Sequence, residues 1–159
     1  MSNIVYVKVL ADSLQKKFTA LESILNITKT QEELLQEEDF DEECFLETIS
    51  SKQIYIDQIT ELDSGFEVIY NRVKQELDAN RSLYSADITN MQKLIAKITE
   101  LGIDIEALEK RNKAQMDKIL EEKKRQFGGM RMNNSAASNY YRNMINQQYN
   151  QSYFLDKRK

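Results

Sequence analysis

The stretch ITNMQKLIAKITELGIDIEAL, residues 88–108, decides the fold. Ile88, Met91, Leu94, Ile95, Ile98, Leu101, Ile105 and Leu108 recur every three or four positions, with Gln, Lys, Thr, Glu and Asp between them. That period draws an apolar stripe down one face of an α-helix and is incompatible with the alternation of a strand. The stripe weakens at Asn112 and Gln115 and resumes sparsely at Met116, Ile119 and Leu120, so the helix outlasts its own clean packing surface.

Two further stripes precede it. Val7, Leu10, Leu14, Phe18, Leu21, Ile24 and Leu25 give the first, which turns polar at Thr28 and Gln31 before Leu34 and Leu35; looser packing is expected there. Phe45, Ile49, Ile56, Ile59, Leu62, Phe66, Ile69, Tyr70, Val73 and Leu77 give the second. Lys52 and Asp63 lie on or beside that second seam, where Lys52 is expected to snorkel outward and Asp63 to sit at the stripe edge. Gly65 reads as a place for close approach by a neighbour, at a cost of about 1 kcal/mol relative to Ala. Helix starts are marked by Asp39 or Asp41, with Glu42 completing a capping-box signature, and by Ser82 or Ser85. The predicted helices are 4–36, 41–79 and 85–126, each about 50–60 Å long. Short connectors make consecutive helices antiparallel neighbours, so the expected fold is all-α, an elongated bundle of three long helices.

Composition agrees. The 159 residues include no Pro, no Trp and four Gly, so little interrupts regular structure before Gly128-Gly129. That double glycine divides a bundle domain, 1–127, from a tail, 128–159, rich in Tyr, Asn and Gln, with one weak helical pattern across 138–149. The tail sets Arg131, Arg142, Lys157, Arg158 and Lys159 against Asp156 alone, a net +4 in a chain whose total is −4, which leaves −8 for the body. An acidic body with a basic tail is the reverse of a nucleic-acid module with a basic face. The N-terminal stretch lacks the pattern of a signal peptide and no apolar run approaches 18 residues, so a cytoplasmic protein with no membrane insertion is expected.

The chemistry of catalysis is sparse. With no His, the usual acid–base, metal and nucleophile–base arrangements lose their commonest member. The single Cys44 stands among Glu42, Glu43 and Glu47, has no His to activate it and is read as structural. The acids Glu32, Glu33, Glu37, Glu38, Asp39, Asp41, Glu42, Glu43 and Glu47 lack the inward Glu-x-x-His pairs of a di-metal bundle and the central Gly of an EF-hand loop. They read as a solvated loop, with attraction of a basic partner, the chain's own tail included, as the functional alternative. No cofactor, no metal and no enzymatic activity are expected. What remains is interaction, through the far end of the third helix (Met116, Ile119, Leu120, Phe127) and through Tyr140, Tyr141, Met144, Ile145, Tyr149, Tyr153 and Phe154 of the tail.

Residues 21–42, LESILNITKTQEELLQEEDFDE, and 50–70, SSKQIYIDQITELDSGFEVIY, carry a resemblance. Lys52, the run Ile54, Ile56, Ile59, and Leu62-Asp63 match a recurrent pattern of Lys, apolar residues and Leu-acid in the FlgN-type flagellar export chaperones, which the body resembles over about residues 5–125. The closing YFLDKRK is similar to the endings of some members. The resemblance implies a cytoplasmic chaperone that keeps the hook–filament junction proteins FlgK and FlgL soluble and delivers them to the flagellar type III export apparatus. It also implies that the client is bound by the C-terminal part of the chain, on Met116, Ile119, Leu120, Phe127 and, in the tail, Tyr140, Tyr141, Met144, Ile145 and Tyr149. A FliT-like chaperone of another client, and a helical scaffold or coiled-coil dimer without a client, are the competing readings; monomer and homodimer both stay open.

Overall fold

A computed structural model describes residues 3–126, all but two short connectors of which are helical: α1, Asn3–Gln36; α2, Glu42–Ala79; and α3, Ser85–Gln126. The boundaries fall within one residue of those read from the apolar period. Of the two candidate caps, Asp41 is the one used: its side chain accepts the backbone N–H of Cys44 at 3.1 Å, satisfying one of the N-terminal donors that a helix leaves unpaired. At the other end the N–H of Asn80 closes on the Glu76 carbonyl at 2.9 Å. α3 begins at Ser85, one of the two serines expected to mark its start. The buried Tyr84 precedes its first turn, its carbonyl accepts from Ile88 at 2.8 Å, and its hydroxyl donates to Glu76 Oε1 at 3.0 Å. Lys123, Lys124 and Arg125 lie in the last turn of α3, where cations meet the negative end of the helix dipole.

Contacts fix the directions. From the N-terminus of α1 onward, Tyr6 meets Arg72, Lys17 meets Asp63 and Gln31 meets Thr48, so α2 runs back along α1. Thr28 meets Glu109, Glu32 meets Arg111, and α3 therefore runs parallel to α1 and antiparallel to α2. The result is an elongated antiparallel three-helix bundle. α1 is its spine: it packs along both other helices, whereas α2 and α3 approach each other closely at few places.

One apolar core threads the bundle. Val7, Leu10, Leu14 and Ile24 of α1, Ile59, Phe66 and Val73 of α2, and Ile98, Ile105 and Met116 of α3 are all almost wholly excluded from water. Each such aliphatic side chain contributes about 1.5–3 kcal/mol by leaving water. Phe66 stacks on Tyr70 with 6.0 Å between ring centroids, and Phe40 of the first connector tilts against Phe45 at 5.6 Å.

Three expectations are overturned. Thr28 and Gln31 do not loosen the end of α1; both are completely buried. Lys52 does not snorkel, because its side chain is 0 % exposed and finds partners inside the bundle. Gly65 admits no close neighbour: a Cβ placed there, or at Gly102 in α3, meets nothing within 4 Å. These glycines are not demanded by packing.

Candidate functional site

The polar interruptions of the three stripes lie at one level of the bundle. Thr28 and Gln31 are three apart on α1, Thr48 and Lys52 four apart on α2, and Glu109 and Asn112 three apart on α3, so each pair occupies one helix face. The three faces converge. Lys52 Nζ donates to Gln31 Oε1 at 2.5 Å and to Glu109 Oε1. The Gln31 amide donates from its other end to Thr48 Oγ1 at 3.1 Å, and the Thr48 hydroxyl donates to the Phe45 carbonyl at 2.5 Å. Asn112 Nδ2 donates to the Thr28 carbonyl at 3.1 Å. The Thr28 hydroxyl lies 2.6 Å from the Ile24 carbonyl and 3.3 Å from Glu109 Oε1; with one proton to give, it serves the nearer acceptor.

The layer is not fully satisfied. Glu109 Oε2 is buried and has no hydrogen-bond partner among the described residues, which is costly for a carboxylate oxygen out of water. Burial also pushes the Lys52 ammonium below its ordinary value, against the opposing pull of the Glu109 charge and hydrogen bond. A second ionic contact, Lys17 Nζ to Asp63 Oδ1 at 2.8 Å, joins α1 and α2 nearer the other end. Asp63 there retains 18 % of its side-chain exposure, which leaves it wetter than either member of the Lys52–Glu109 pair.

Beyond the polar layer lies the distal end, built from Leu35, Phe40, Phe45, Met116, Ile119 and Leu120. Lys123 Nζ stands 5.4 Å from the centre of the Phe40 ring, so the last turn of α3 meets the acidic connector. Of the residues expected to hold a client, Met116 is 2 % exposed and belongs to the core, while Ile119 and Leu120 are half-buried against it. Met116 is therefore spent within the bundle, while Ile119 and Leu120 keep part of their apolar surface open. Phe127, Tyr140, Tyr141, Met144, Ile145 and Tyr149 lie outside the described residues.

Cys44 is exposed. Hydrogen bonding to the Asp41 side chain, assisted by the charges of Asp41, Glu47 and Glu43, holds its thiol up at about 11. A thiol so placed is protonated at neutral pH, which suits neither nucleophilic attack nor metal binding. Among the described residues no group of three or more His, Cys, Asp and Glu is disposed to hold a metal ion, and no helix is long and apolar enough to cross a membrane.

No family model matches the chain, and neither a curated protein nor a solved structure matches it significantly. The functional reading thus rests on residues. In the sequence the seams turn polar at Thr28, Gln31 and Asn112, and each interruption by itself looks like local weakening. The signal lies in their register: the interruptions coincide in level once the helices are laid antiparallel. Glu109 stands next to Leu108 of the stripe and by itself looks like an ordinary surface charge.

Proposed function

We propose that this protein is a cytoplasmic chaperone of the flagellar type III export system, holding hook–filament junction proteins of the FlgK and FlgL kind soluble and export-competent. The observation that carries the reading is the position of the resemblance residues. Lys52 and Asp63, which carry the likeness to the FlgN-type chaperones on α2, join it to α3 through a buried ionic contact and to α1 through a partly buried one. The client takes the apolar surface of the distal end, on Met116, Ile119 and Leu120, in the manner of an amphipathic helix lying in a groove. The chain works by binding alone, without cofactor or catalysis, and hands the client to the export apparatus.

Calorimetric titration of the full chain with the C-terminal segments of junction proteins tests the reading. Saturable binding, weakened by Ile119→Asp with Leu120→Asp, supports it; absence of binding to these segments removes it. A second reading, a self-associating helical scaffold, is favoured by the exposure of Ile4, Val5 and Val9 on α1 (48, 46 and 38 %). Mass that rises with concentration in the absence of client, and falls on Val5→Glu, would bring that reading forward.

A further inference from the structure

A client that uses Met116 faces an obstacle, because Met116 is buried. Three observations show how the obstacle is removed. First, α3 carries Gly102 in mid-helix, seven residues before Glu109, and no neighbour requires the missing Cβ. A glycine that packing does not need leaves the helix easier to bend at that point. Second, α3 is joined to the other described helices at its N-terminal end alone, through residues 80–84, whereas α2 is joined at both ends. Third, the half of α3 beyond Gly102 is held by a polar layer set between the buried Ile105 and Leu108 on one side and Met116 on the other. Parting it from α1 and α2 returns Lys52, Glu109 and the orphaned Glu109 Oε2 to water, so the separation costs less than parting an apolar surface of equal size.

We propose that residues 103–126 form a hinged arm that bends at Gly102 and is latched by Glu109 and Asn112 against Thr28, Gln31 and Lys52. Lifting the arm uncovers Met116 together with Leu35 and Phe45, and leaves Lys52 on the floor of the opened groove. The occupant that fits is an amphipathic helix of the client with a carboxylate set in its apolar stripe, which replaces Glu109 as the partner of Lys52. The identity of the occupant rests on the chaperone reading; the hinge does not. Buried polar groups that regain water on opening, and a helix residue that tolerates bending, are the ingredients of a bistable element.

Hydrogen exchange on the full chain, without any client, tests the hinge. Amides of residues 105–120 are expected to exchange at least tenfold faster than those of residues 10–24, through an opening short of global unfolding. Gly102→Ala should slow exchange in the arm about fivefold, while the control Gly65→Ala leaves the ratio of the two regions unchanged. The double replacement Lys52→Met with Glu109→Leu should slow arm exchange further. Equal protection of the two regions, or equal effects of both glycine replacements on both regions, would overturn the hinge. Titration of Gly102→Ala with a junction-protein segment then separates the two ideas. Weakened capture supports gating by the arm; unchanged capture with slowed exchange overturns gating and leaves the chaperone reading standing; no capture by the parent chain removes the occupant and leaves the hinge.

Discussion

The proximal and distal halves of this bundle solve the same packing problem differently. Around Leu10, Leu14, Phe66, Val73, Met91 and Ile98 the helices meet chiefly through apolar side chains, with the wetter Lys17–Asp63 contact as the ionic exception between α1 and α2. Around Thr28, Gln31, Lys52, Glu109 and Asn112 they meet through groups that must be desolvated before they bond, and one carboxylate oxygen is left unmatched. An apolar seam is strong and permissive, since one heptad resembles the next. A polar layer is weaker but particular, because Lys52 reaches Glu109 in one register alone. The proximal half supplies stability, and the distal half supplies alignment and a place to open.

Breaking the layer on one side gives the largest effect. Glu109→Leu strands Lys52 without its anionic partner and should cost about 4 kcal/mol in chemical denaturation. Adding Lys52→Met should recover that loss and exceed the parent by about 1 kcal/mol, since two apolar side chains of similar volume replace a desolvated pair. If the double replacement stayed as unstable as the single one, the distal layer would be a net source of stability and the contrast would fail. In the proximal half, Ile98→Ala should cost about 3 kcal/mol with no partner able to rescue it.

The alkaline limb sharpens the same comparison. The folded Lys52 gives up its proton below the ordinary value of 10.5, so near that pH the unfolded chain binds more protons than the folded one. The Lys52 contribution to stability therefore rises as pH climbs toward 10.5 and is lost as pH falls through the lowered folded value. Raised Tyr84, whose burial and bond to Glu76 favour the neutral phenol, works in the opposite sense from pH 10 upward. Denaturation of the parent and of Lys52→Met with Glu109→Leu between pH 8 and 10.5 isolates the first effect: the parent should gain on the double variant as pH rises.

Smaller effects mark the surface. Asp41→Ala removes the cap of α2 and should lower the midpoint of chemical denaturation slightly. The same change releases the Cys44 thiol from its strongest restraint, so alkylation at pH 8, expected to be at least tenfold slower than for free cysteine, should accelerate. Arg111→Ala, which breaks the exposed 3.7 Å contact with Glu32, should change stability by less than about 0.5 kcal/mol.

How much of this was written legibly depends on how far apart the cooperating residues lie. Ile88 to Leu108 sufficed for a helix, since every position in that pattern is judged by neighbours three and four away. The helix limits at Gln36, Glu42, Ala79 and Ser85 were equally local. The buried layer was not, because Lys52 and Glu109 are separated by most of two helices and each alone reads as an ordinary surface charge. Met116 shows the opposite case: the thinning stripe around it reads as idle surface, but the residue belongs to the same apolar core that Leu35 and Phe45 enter from the two other helices.

Hydrogen exchange of the full chain with and without a junction-protein C-terminal segment tests the account most directly. Client is expected to alter exchange in residues 28–52 and 103–126 and to leave residues 5–24 and 56–79 as they were. No change on addition of client, or a change confined to the exposed face of α1 at Ile4, Val5 and Val9, would contradict it.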